Sequence, residues 1–412
     1  MNLLQSVKIG RLITFNLPRR ISFGIGAVER VAEEVVRLEA GKVLVVTDNG
    51  VEKAGLVDRV LEPLKSKKLA VTVYSQIASE PTLKSVGAAV EYGRSGEYDV
   101  VIGVGGGSVM DTAKLVAGLI TNEGEPIQFL NPAVDNFKKP TLPKILIPTT
   151  SGTGSECSCG AVVIDTSTGY KLWAASSAII AEVALVDPSM TLTLPPQQTA
   201  ACAMDALSHA VEALILHVAH PVSDAYAFEA TKLIFSNVSE AYHHGDSLEA
   251  RWAMSLASML AGIVIVFPWV GGPATMGHCT AEAWGPAYNI PHGVACGVAL
   301  PYTLQYNLPA CGKKMVDIAS AMGQDVTSLS TRQGSFKAVE AVMQLLKDLE
   351  LPANLQDLGV PVEDLTTLVK HIVEDRQYLY ELPTSQPRRL TVENVTKFFK
   401  NMWYGNIGLD YI

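Results

Sequence analysis

The stretch YDVVIGVGGGSVMDTAK, residues 98–114, decides the fold of the first half of the chain. A β-branched run over 100–104 passes through a glycine cluster into a segment with helical spacing. Glycines let a backbone approach a ligand closely, and the free amides and dipole at a helix start form an anion site that suits a pyrophosphate. Ser108 stands where the G-x-G-x-x-G fingerprint needs its last glycine, and the lysine spacing of a Walker loop is missing. The candidate phosphate ligands are Gly105, Gly106, Gly107 and Ser108. The alternative interpretation is a plain glycine-rich turn between strand and helix.

Strand-like and helical periods alternate on both sides of this stretch. Short β-branched runs lie at 42–47, 70–74, 100–104 and 145–147, and further strand-like pieces lie at 160–165 and 183–186. Helical spacing covers 28–38, 51–64, 82–93 and 111–120. This alternation predicts an α/β domain over residues 1–188, built on a parallel sheet with helices on both faces.

The pattern changes after Asp187-Pro188, where a long region rich in Ala, Leu and Met begins. Helices are predicted over 199–216, 225–241, 248–266, 337–349, 362–373 and 392–403, and hardly any strand pattern remains. The sequence therefore predicts an all-helical second domain over residues 189–412. Ligands of such chains tend to bind between the domains, at the carboxyl ends of the strands.

Composition and charge exclude several classes of protein. Lys and Arg total 32 against 41 Asp and Glu, and the net charge of −9 argues against partners such as nucleic acid or an anionic membrane. The six cysteines contain no C-x-x-C pair and are too sparse for a disulfide scaffold, which favours a reducing, cytoplasmic location. Residues 1–15 carry Lys and Arg inside their apolar stretch and make a poor signal peptide. Residues 254–270 fall short of the ~20 apolar residues of a membrane span, so they predict a buried helix.

Two polar features follow predicted strands. Asp48 ends the strand VLVVTD, where a carboxylate can accept hydrogen bonds from a ribose and repel a 2′-phosphate, which favours NAD over NADP. The alternative is a turn residue before Asn49-Gly50. This acid usually comes ~20 residues after the glycines, so a dinucleotide site here needs a different chain order. The segment TTSGTGSE, residues 149–156, could line a cofactor pocket or form a polar turn.

One carboxylate and three imidazoles in the helical half suggest a metal site. Asp205 and His209 are four residues apart on a predicted helix and share one face. His278 and His292 follow in the segments GH and IPHG. This donor set suits Fe²⁺ or Zn²⁺. Each histidine alone could be a core residue, and ordinary roles are assigned to His217, His220, His243, His244 and His371.

These segments together resemble the iron-containing (group III) alcohol dehydrogenase family. The matching segments are GVGGGSVMDTAK, IPTTSGTGSE, VALVDPSMTLTLPP, MDALSHAVEA, the GH and IPHG pair, and SQPRRLTVENV. The resemblance implies a dehydroquinate synthase-like fold, in which a dinucleotide-binding domain precedes a helical metal-binding domain, and a homodimer or higher homo-oligomer. It implies NAD and Fe²⁺ as cofactors, with Zn²⁺ or another divalent metal as the alternative.

The resemblance also assigns individual residues. Its metal ligands fall on Asp205, His209, His278 and His292. Its cofactor residues fall on Asp48, on Gly105, Gly106, Gly107 and Ser108 with Asp111 supporting the turn, and on Thr149, Thr150 and Lys171.

The sequence departs from the family pattern at two positions. Glu282 stands where many members carry a second histidine near the nicotinamide. A carboxylate there could tighten the metal site, accept a proton as a relay, or cap a buried hydrogen bond. Glu80 replaces an asparagine that often precedes Pro-Thr in the cofactor cleft.

The function implied by the resemblance is an NAD- and metal-dependent alcohol dehydrogenase or aldehyde reductase, acting on a small primary alcohol or aldehyde by metal-polarised hydride transfer. A glycerol dehydrogenase-like or dehydroquinate synthase-like enzyme is the alternative on the same scaffold, and a non-catalytic metal or NAD sensor or a filament subunit is a third hypothesis. Residues 268–292 contain no Lys or Arg, which favours a weakly charged substrate. The candidate pocket aromatics, which could equally be core residues, are Phe267, Trp269, Trp284 and Tyr288.

Overall fold

Strands and helices alternate through the first part of the chain. The computed structural model describes residues 16–77, 80–130, 137–266, 276–375 and 387–412. The strands are β1 (Arg20–Phe23), β2 (Lys42–Val46), β3 (Ala70–Tyr74), β4 (Val100–Gly105), β5 (Lys144–Pro148), β6 (Gly160–Asp165), β7 (Tyr170–Ala175) and β8 (Val183–Val186). The α-helices between them are α1 (Val31–Arg37), α2 (Asn49–Lys53), α3 (Asp58–Ser66), α4 (Leu83–Arg94) and α5 (Gly107–Thr121).

Six of the described strands form a parallel sheet in the order β1-β8-β5-β4-β2-β3, which confirms the predicted sheet type. The chain runs outward from β2 to β3 and then returns to the other side of β2 as β4. This reversal places a ligand crevice at the carboxyl ends of the strands. The residues that follow β2, β4 and β5 share that edge, because the three strands run in one direction.

The glycines at the end of β4 let α5 pack closely on the sheet. A Cβ on Gly103 would lie 2.9 Å from the Cβ of Ala113 and from Cδ2 of Leu146. A Cβ on Gly105 would lie 2.6 Å from a methyl carbon of Val109. Both contacts are too short for a real side chain, so part of the glycine cluster serves helix packing as well as ligand approach.

The second part of the described chain is helical. Its α-helices are α6 (Pro196–Ile215), α7 (Pro221–His243), α8 (Leu248–Val266), α9 (Met276–Trp284), α10 (His292–Ala321), α11 (Thr331–Asp348), α12 (Leu365–Lys370) and α13 (Val392–Tyr404). One buried apolar cluster joins α6, α7, α8, α10 and α11. Nearly all of α6 from Thr199 onward is buried, so a polar side chain there needs a partner within the protein.

Several elements differ from the sequence-based expectation. The helix predicted over 51–64 is divided into α2 and α3, and Gly55 between them adopts a φ of 73°. The sequence patterns predict neither α9 nor α10. Gly277 lies near the start of α9, and α10 contains Pro301 and Pro309. They also miss β1 and β7. Since β7 pairs antiparallel with β6, the strand predicted at 160–165 lies outside the parallel sheet.

None of the described helices combines the length and apolarity that a membrane crossing requires. Within the apolar stretch 254–270, residues up to 266 belong to α8 and the remainder lies outside the described residues. The N-terminal residues 1–15 also lie outside them.

Candidate metal and cofactor site

Three imidazole nitrogens surround one carboxylate oxygen in the helical part. Asp205 and His209 lie one turn apart on α6, His278 belongs to α9, and His292 opens α10. The Nε2 atoms of His209, His278 and His292 lie 3.7, 3.7 and 3.6 Å from Asp205 Oδ1. The structure thus brings together the four side chains that the sequence selects as metal ligands, although they come from three helices.

The spacing and burial of these donors fit a divalent metal ion. Metal–ligand distances of ~2.0–2.2 Å separate neighbouring nitrogen or oxygen ligands of a tetrahedral ion by about 3.4 Å. Asp205 Oδ1 and His278 Nε2 are buried and have no hydrogen-bond partner within the described residues. Leaving a carboxylate oxygen in this state is costly unless a cation lies beside it. A metal ion would be the common partner of these atoms.

Burial favours the neutral ring of His209 and His292, the state that metal binding requires. At His278, burial is outweighed by Cys296 and Glu212, which raise the pKa of that ring. A metal ligand must be a neutral imidazole. Desolvation lowers the pKa of His209 to about 4, against the opposing effect of the Asp205 carboxylate. Burial, and then the positive charge of Lys171, also lowers the pKa of His292. Both rings are therefore neutral at pH 7 and can coordinate a metal through a nitrogen lone pair.

A second buried carboxylate orients His278. Glu212 Oε1 lies 2.8 Å from His278 Nδ1, and Glu212 Oε2 accepts a hydrogen bond from the His278 backbone at 3.3 Å. A Cβ on Gly277 would lie 2.6 Å from Glu212 Oε1, so glycine is needed at this position for the carboxylate to come this close. The contact leaves Nε2 of His278 directed at Asp205. Carboxylate–histidine pairs of this kind fix the tautomer and orientation of metal-binding rings.

The glycine loop lies at the carboxyl end of β4 and opens α5. Gly106 is the N-cap of α5, and no side chain caps the first turn of this helix. An anion is favoured at such a helix start. A Cβ on Gly107 would lie 2.5 Å from Thr153, so the loop 149–156 closes against the glycines. Thr149 donates its backbone N–H to the Gly105 carbonyl at 3.0 Å, and Thr150 lies 3.3 Å from the position of a Cβ on Gly106.

Asp111 and Lys114 bind the same loop from the side of α5. Asp111 accepts hydrogen bonds from Ser155 Oγ at 2.5 Å and from the backbone N–H of Val162 at 2.9 Å. Lys114 is fully buried and donates to Ser155, Ser158 and the carbonyl of Gly160. Asp111 therefore supports the neighbouring loop and β6.

Two further predicted cofactor residues lie on different elements, Asp48 at the same edge of the parallel sheet and Lys171 on the separate β6–β7 hairpin. Asp48 follows β2 and caps α2, because its Oδ1 accepts from the backbone of Gly50 and Val51 at 2.7 and 3.0 Å. This is the turn role that the sequence leaves open as the alternative, and both bonds use the same oxygen. Lys171 on β7 is buried and pairs with Glu80 at 3.1 Å.

The remaining predicted site residues are distributed over α9 and the segment after it. Glu282 is 4 % exposed and lies four residues after His278 on α9. Trp284 is fully buried in an apolar core cluster. The hydroxyl of Tyr288 donates to Asp364 at 2.7 Å. Two of the predicted pocket aromatics lie outside the described residues, namely Phe267 and Trp269.

The structure adds two residues to this site that the sequence analysis does not select. Glu212 lies seven residues after Asp205 on α6, and Cys296 lies four residues after His292 on α10. Both spacings place the side chain on the same helix face as a predicted ligand. That periodicity was the available signal for Glu212, whereas α10 itself is not predicted.

Comparison with known proteins identifies the family. Residues 18–188 match the iron-containing alcohol dehydrogenase family, and residues 199–403 match the C-terminal domain of the same family. Long-chain-alcohol dehydrogenase 1 of Geobacillus thermodenitrificans is 39% identical over 361 residues, covering 87% of this chain and 90% of that protein. NAD-dependent methanol dehydrogenase of Bacillus methanolicus is 32% identical over 390 residues, covering 95% of this chain and 100% of the relative.

A solved structure shares the whole architecture. The crystal structure of 1,3-propanediol oxidoreductase matches with a TM-score of 0.89 and 33% identity, covering 95% of this chain and 100% of that one. These matches confirm the family resemblance and the fold class inferred from the sequence. The chain belongs to the iron-containing alcohol dehydrogenase family, and it is an NAD- and divalent-metal-dependent oxidoreductase that acts on alcohols and aldehydes.

Proposed function

We propose that Asp205, His209, His278 and His292 hold the catalytic metal of this enzyme. The observation that carries the proposal is the convergence of three Nε2 atoms within 3.7 Å of Asp205 Oδ1. Fe²⁺ is the proposed ion and Zn²⁺ the alternative, because nitrogen and carboxylate donors suit both.

The proposed NAD site follows the edge formed by β2, β4 and β5. The pyrophosphate binds the glycine loop at the start of α5, and Asp48 accepts hydrogen bonds from a ribose with the oxygen that the helix cap does not use. The other proposed contributors are Asp111, Thr149, Thr150 and Lys171. Lys171 supports the adjacency of the two sites, because this proposed cofactor residue lies near enough to His292 for its charge to lower the pKa of that ring.

The protein residues supply orientation, charge and protection from water. When bound, the metal polarises the substrate oxygen and the nicotinamide accepts or delivers the hydride. Asp205 offsets part of the positive charge at the centre of the site, and Glu212 holds the ring of His278. The burial of His209 and His278 keeps bulk water from that side. Glu282 is the proposed relay, which accepts a proton at a carboxylate oxygen and passes it to hydroxyl groups or water.

The proposed substrate is a small primary alcohol or aldehyde. The segment 268–292, which leads to two of the metal ligands, contains no Lys or Arg. The nearby Lys171 is compensated by Glu80. A dehydroquinate synthase-like reaction would require a phosphorylated substrate. These residues contain no cluster of basic side chains that could bind a phosphate.

A panel of alcohols tests this function. Protein treated with chelator, then given Fe²⁺ or Zn²⁺, should reduce NAD with short primary alcohols, as followed by NADH absorbance. Chelator-treated protein without metal should show no turnover. Equal turnover with and without metal, or turnover confined to glycerol or to phosphorylated compounds, would contradict the proposal.

Replacing Asp48 tests the proposed preference for NAD. Asp48→Asn keeps an oxygen for the cap of α2 but loses the charge that repels a 2′-phosphate. We expect the ratio of kcat/KM with NAD to kcat/KM with NADP to fall roughly 10-fold or more, because like-charge juxtaposition costs several kcal/mol. Thermal stability should be unchanged. Asp48→Ala should lose the cap as well, at about 1 kcal/mol of stability. An unchanged cofactor ratio in both variants would place the ribose elsewhere.

We also propose that the enzyme is a cytoplasmic homodimer. All six cysteines lie among the described residues and none of them forms a disulfide bond there, which supports a reducing compartment. The dimer rests on the family resemblance, and light scattering coupled to gel filtration measures it directly.

A further inference from the structure

A buried thiol faces the proposed metal site. Cys296 lies on α10 one turn after His292, so the two side chains share a helix face. Its Sγ is 3.6 Å from His292 Nε2 and 3.8 Å from His292 Nδ1. The donor atoms of Asp205, His278, His292 and Cys296 all lie within 4.8 Å of one another.

The surroundings of Cys296 differ from those of an ordinary core cysteine. Buried cysteines usually behave as small apolar side chains, and Cys157 follows this pattern within an apolar cluster. On the same helix as Cys296, Cys311 packs against an apolar cluster and donates to the backbone carbonyl of Ile215. Cys296 instead faces a set of nitrogen and oxygen donors, two of which are buried without a hydrogen-bond partner among the described residues.

The position of the sulfur matches that of a metal ligand. Zinc–sulfur bonds of ~2.3 Å and zinc–nitrogen bonds of ~2.0–2.1 Å place two ligand atoms roughly 3.1–3.8 Å apart for bond angles of about 90–120°. The distance of 3.6 Å from Cys296 Sγ to His292 Nε2 falls within this range.

We propose that Cys296 Sγ is a protein ligand of the metal ion beside Asp205, His278 and His292, and that its thiolate shifts the preference of the site from Fe²⁺ toward Zn²⁺. The inference rests on the proposed metal site and deepens it. Binding deprotonates the thiol and releases the proton to solvent, so the ion gains a thiolate ligand. Thiolate ligands are soft donors that favour Zn²⁺, whereas Asp205, His278 and His292 offer oxygen and nitrogen. His209 Nε2 lies 3.7 Å from Asp205 Oδ1, beside the group of donors that includes Cys296.

X-ray absorption at the zinc edge tests this proposal without measuring activity. Protein loaded with one equivalent of Zn²⁺ should show one sulfur scatterer at about 2.3 Å beside nitrogen and oxygen at ~2.0–2.2 Å. Cys296→Ser should bind zinc without the sulfur signal. Cys311→Ser, on the same helix, is the matched control and should retain it. In a competition between Zn²⁺ and Fe²⁺, Cys296→Ser should lower the preference for Zn²⁺ by roughly 10-fold or more, at least the loss seen when a supporting residue is removed.

Cobalt substitution tests the sulfur ligand in the native protein, so it does not depend on the folding of Cys296→Ser. Native protein loaded with Co²⁺ should show a sulfur-to-cobalt charge-transfer absorption in the near ultraviolet. Zinc bound by nitrogen and oxygen alone in the native protein, or a sulfur signal that persists in Cys296→Ser, would overturn the role of Cys296 while leaving the metal site standing. A native protein that binds neither zinc nor cobalt would overturn the metal site itself.

Discussion

Replacing Asp205 by alanine should remove the metal ion and lower kcat/KM at least about 1,000-fold, since the Lewis acid supplies several kcal/mol of transition-state stabilisation. The reason lies in the geometry, because Asp205 Oδ1 lies within 3.7 Å of the Nε2 atoms of all three histidines. Without it, three neutral imidazoles remain and the site loses its only carboxylate among the proposed ligands. Metal content by elemental analysis and kcat/KM with the best alcohol of the panel measure the effect.

Thermal stability separates loss of metal from loss of fold in this variant. In the metal-free protein, Asp205 Oδ1 is buried and has no hydrogen-bond partner among the described residues, so removal of this carboxylate should leave the melting temperature equal or higher. Zinc should raise the melting temperature of the native protein and leave that of Asp205→Ala unchanged, because only a bound ligand stabilises the fold. Asp246→Ala, an exposed aspartate of the same region, is the matched control. Full metal content and unchanged kcat/KM in Asp205→Ala would contradict the assignment.

The sequence predicts the parallel sheet well because each central strand is a continuous apolar run. Four strands are buried on both faces, namely β2, β4, β5 and β8. Their sequences therefore need not alternate between apolar and polar residues, and they are easily distinguished from the helical spacing between them. The same runs place Asp48, the glycine loop and Thr149 at one edge of the sheet. The sequence does not show that β6 leaves this sheet, because its partner β7 begins with polar residues and pairs antiparallel.

The proposed metal ligands could be selected by residue type, whereas the residues proposed to support them could not. Asp and His are rare in buried helices and are therefore conspicuous. In the sequence, Glu212 is not distinguishable from other helical glutamates. The structure shows that its carboxylate points into the protein, against Gly277. Cys296 depends on α10, whose two prolines conceal the helix. Both residues act through the packing of one helix against another, which a single sequence does not reveal.

Replacing Glu212 should weaken metal binding through the orientation of His278, without removing a ligand. Glu212→Ala leaves both Nδ1 and the backbone N–H of His278 without the carboxylate that holds them at 2.8 and 3.3 Å. We expect the dissociation constant for Zn²⁺ to rise about 10- to 100-fold, as is usual when the partner of a metal-binding histidine is lost. Glu212→Gln keeps the shape and an acceptor oxygen and should fall between native and alanine. Glu240→Gln, an exposed helical glutamate, should bind zinc normally.

The dependence of activity on metal concentration distinguishes a positioning residue from a ligand. In Glu212→Ala, kcat/KM should be low at limiting zinc and should recover largely at saturating zinc, because Asp205 and the three imidazoles remain. Asp205→Ala should not recover over the same range. This contrast follows from where each carboxylate lies, since Asp205 faces the Nε2 atoms and Glu212 lies behind one ring at Nδ1. An unchanged zinc affinity in Glu212→Ala would show that the packing of α9 alone fixes the orientation of His278.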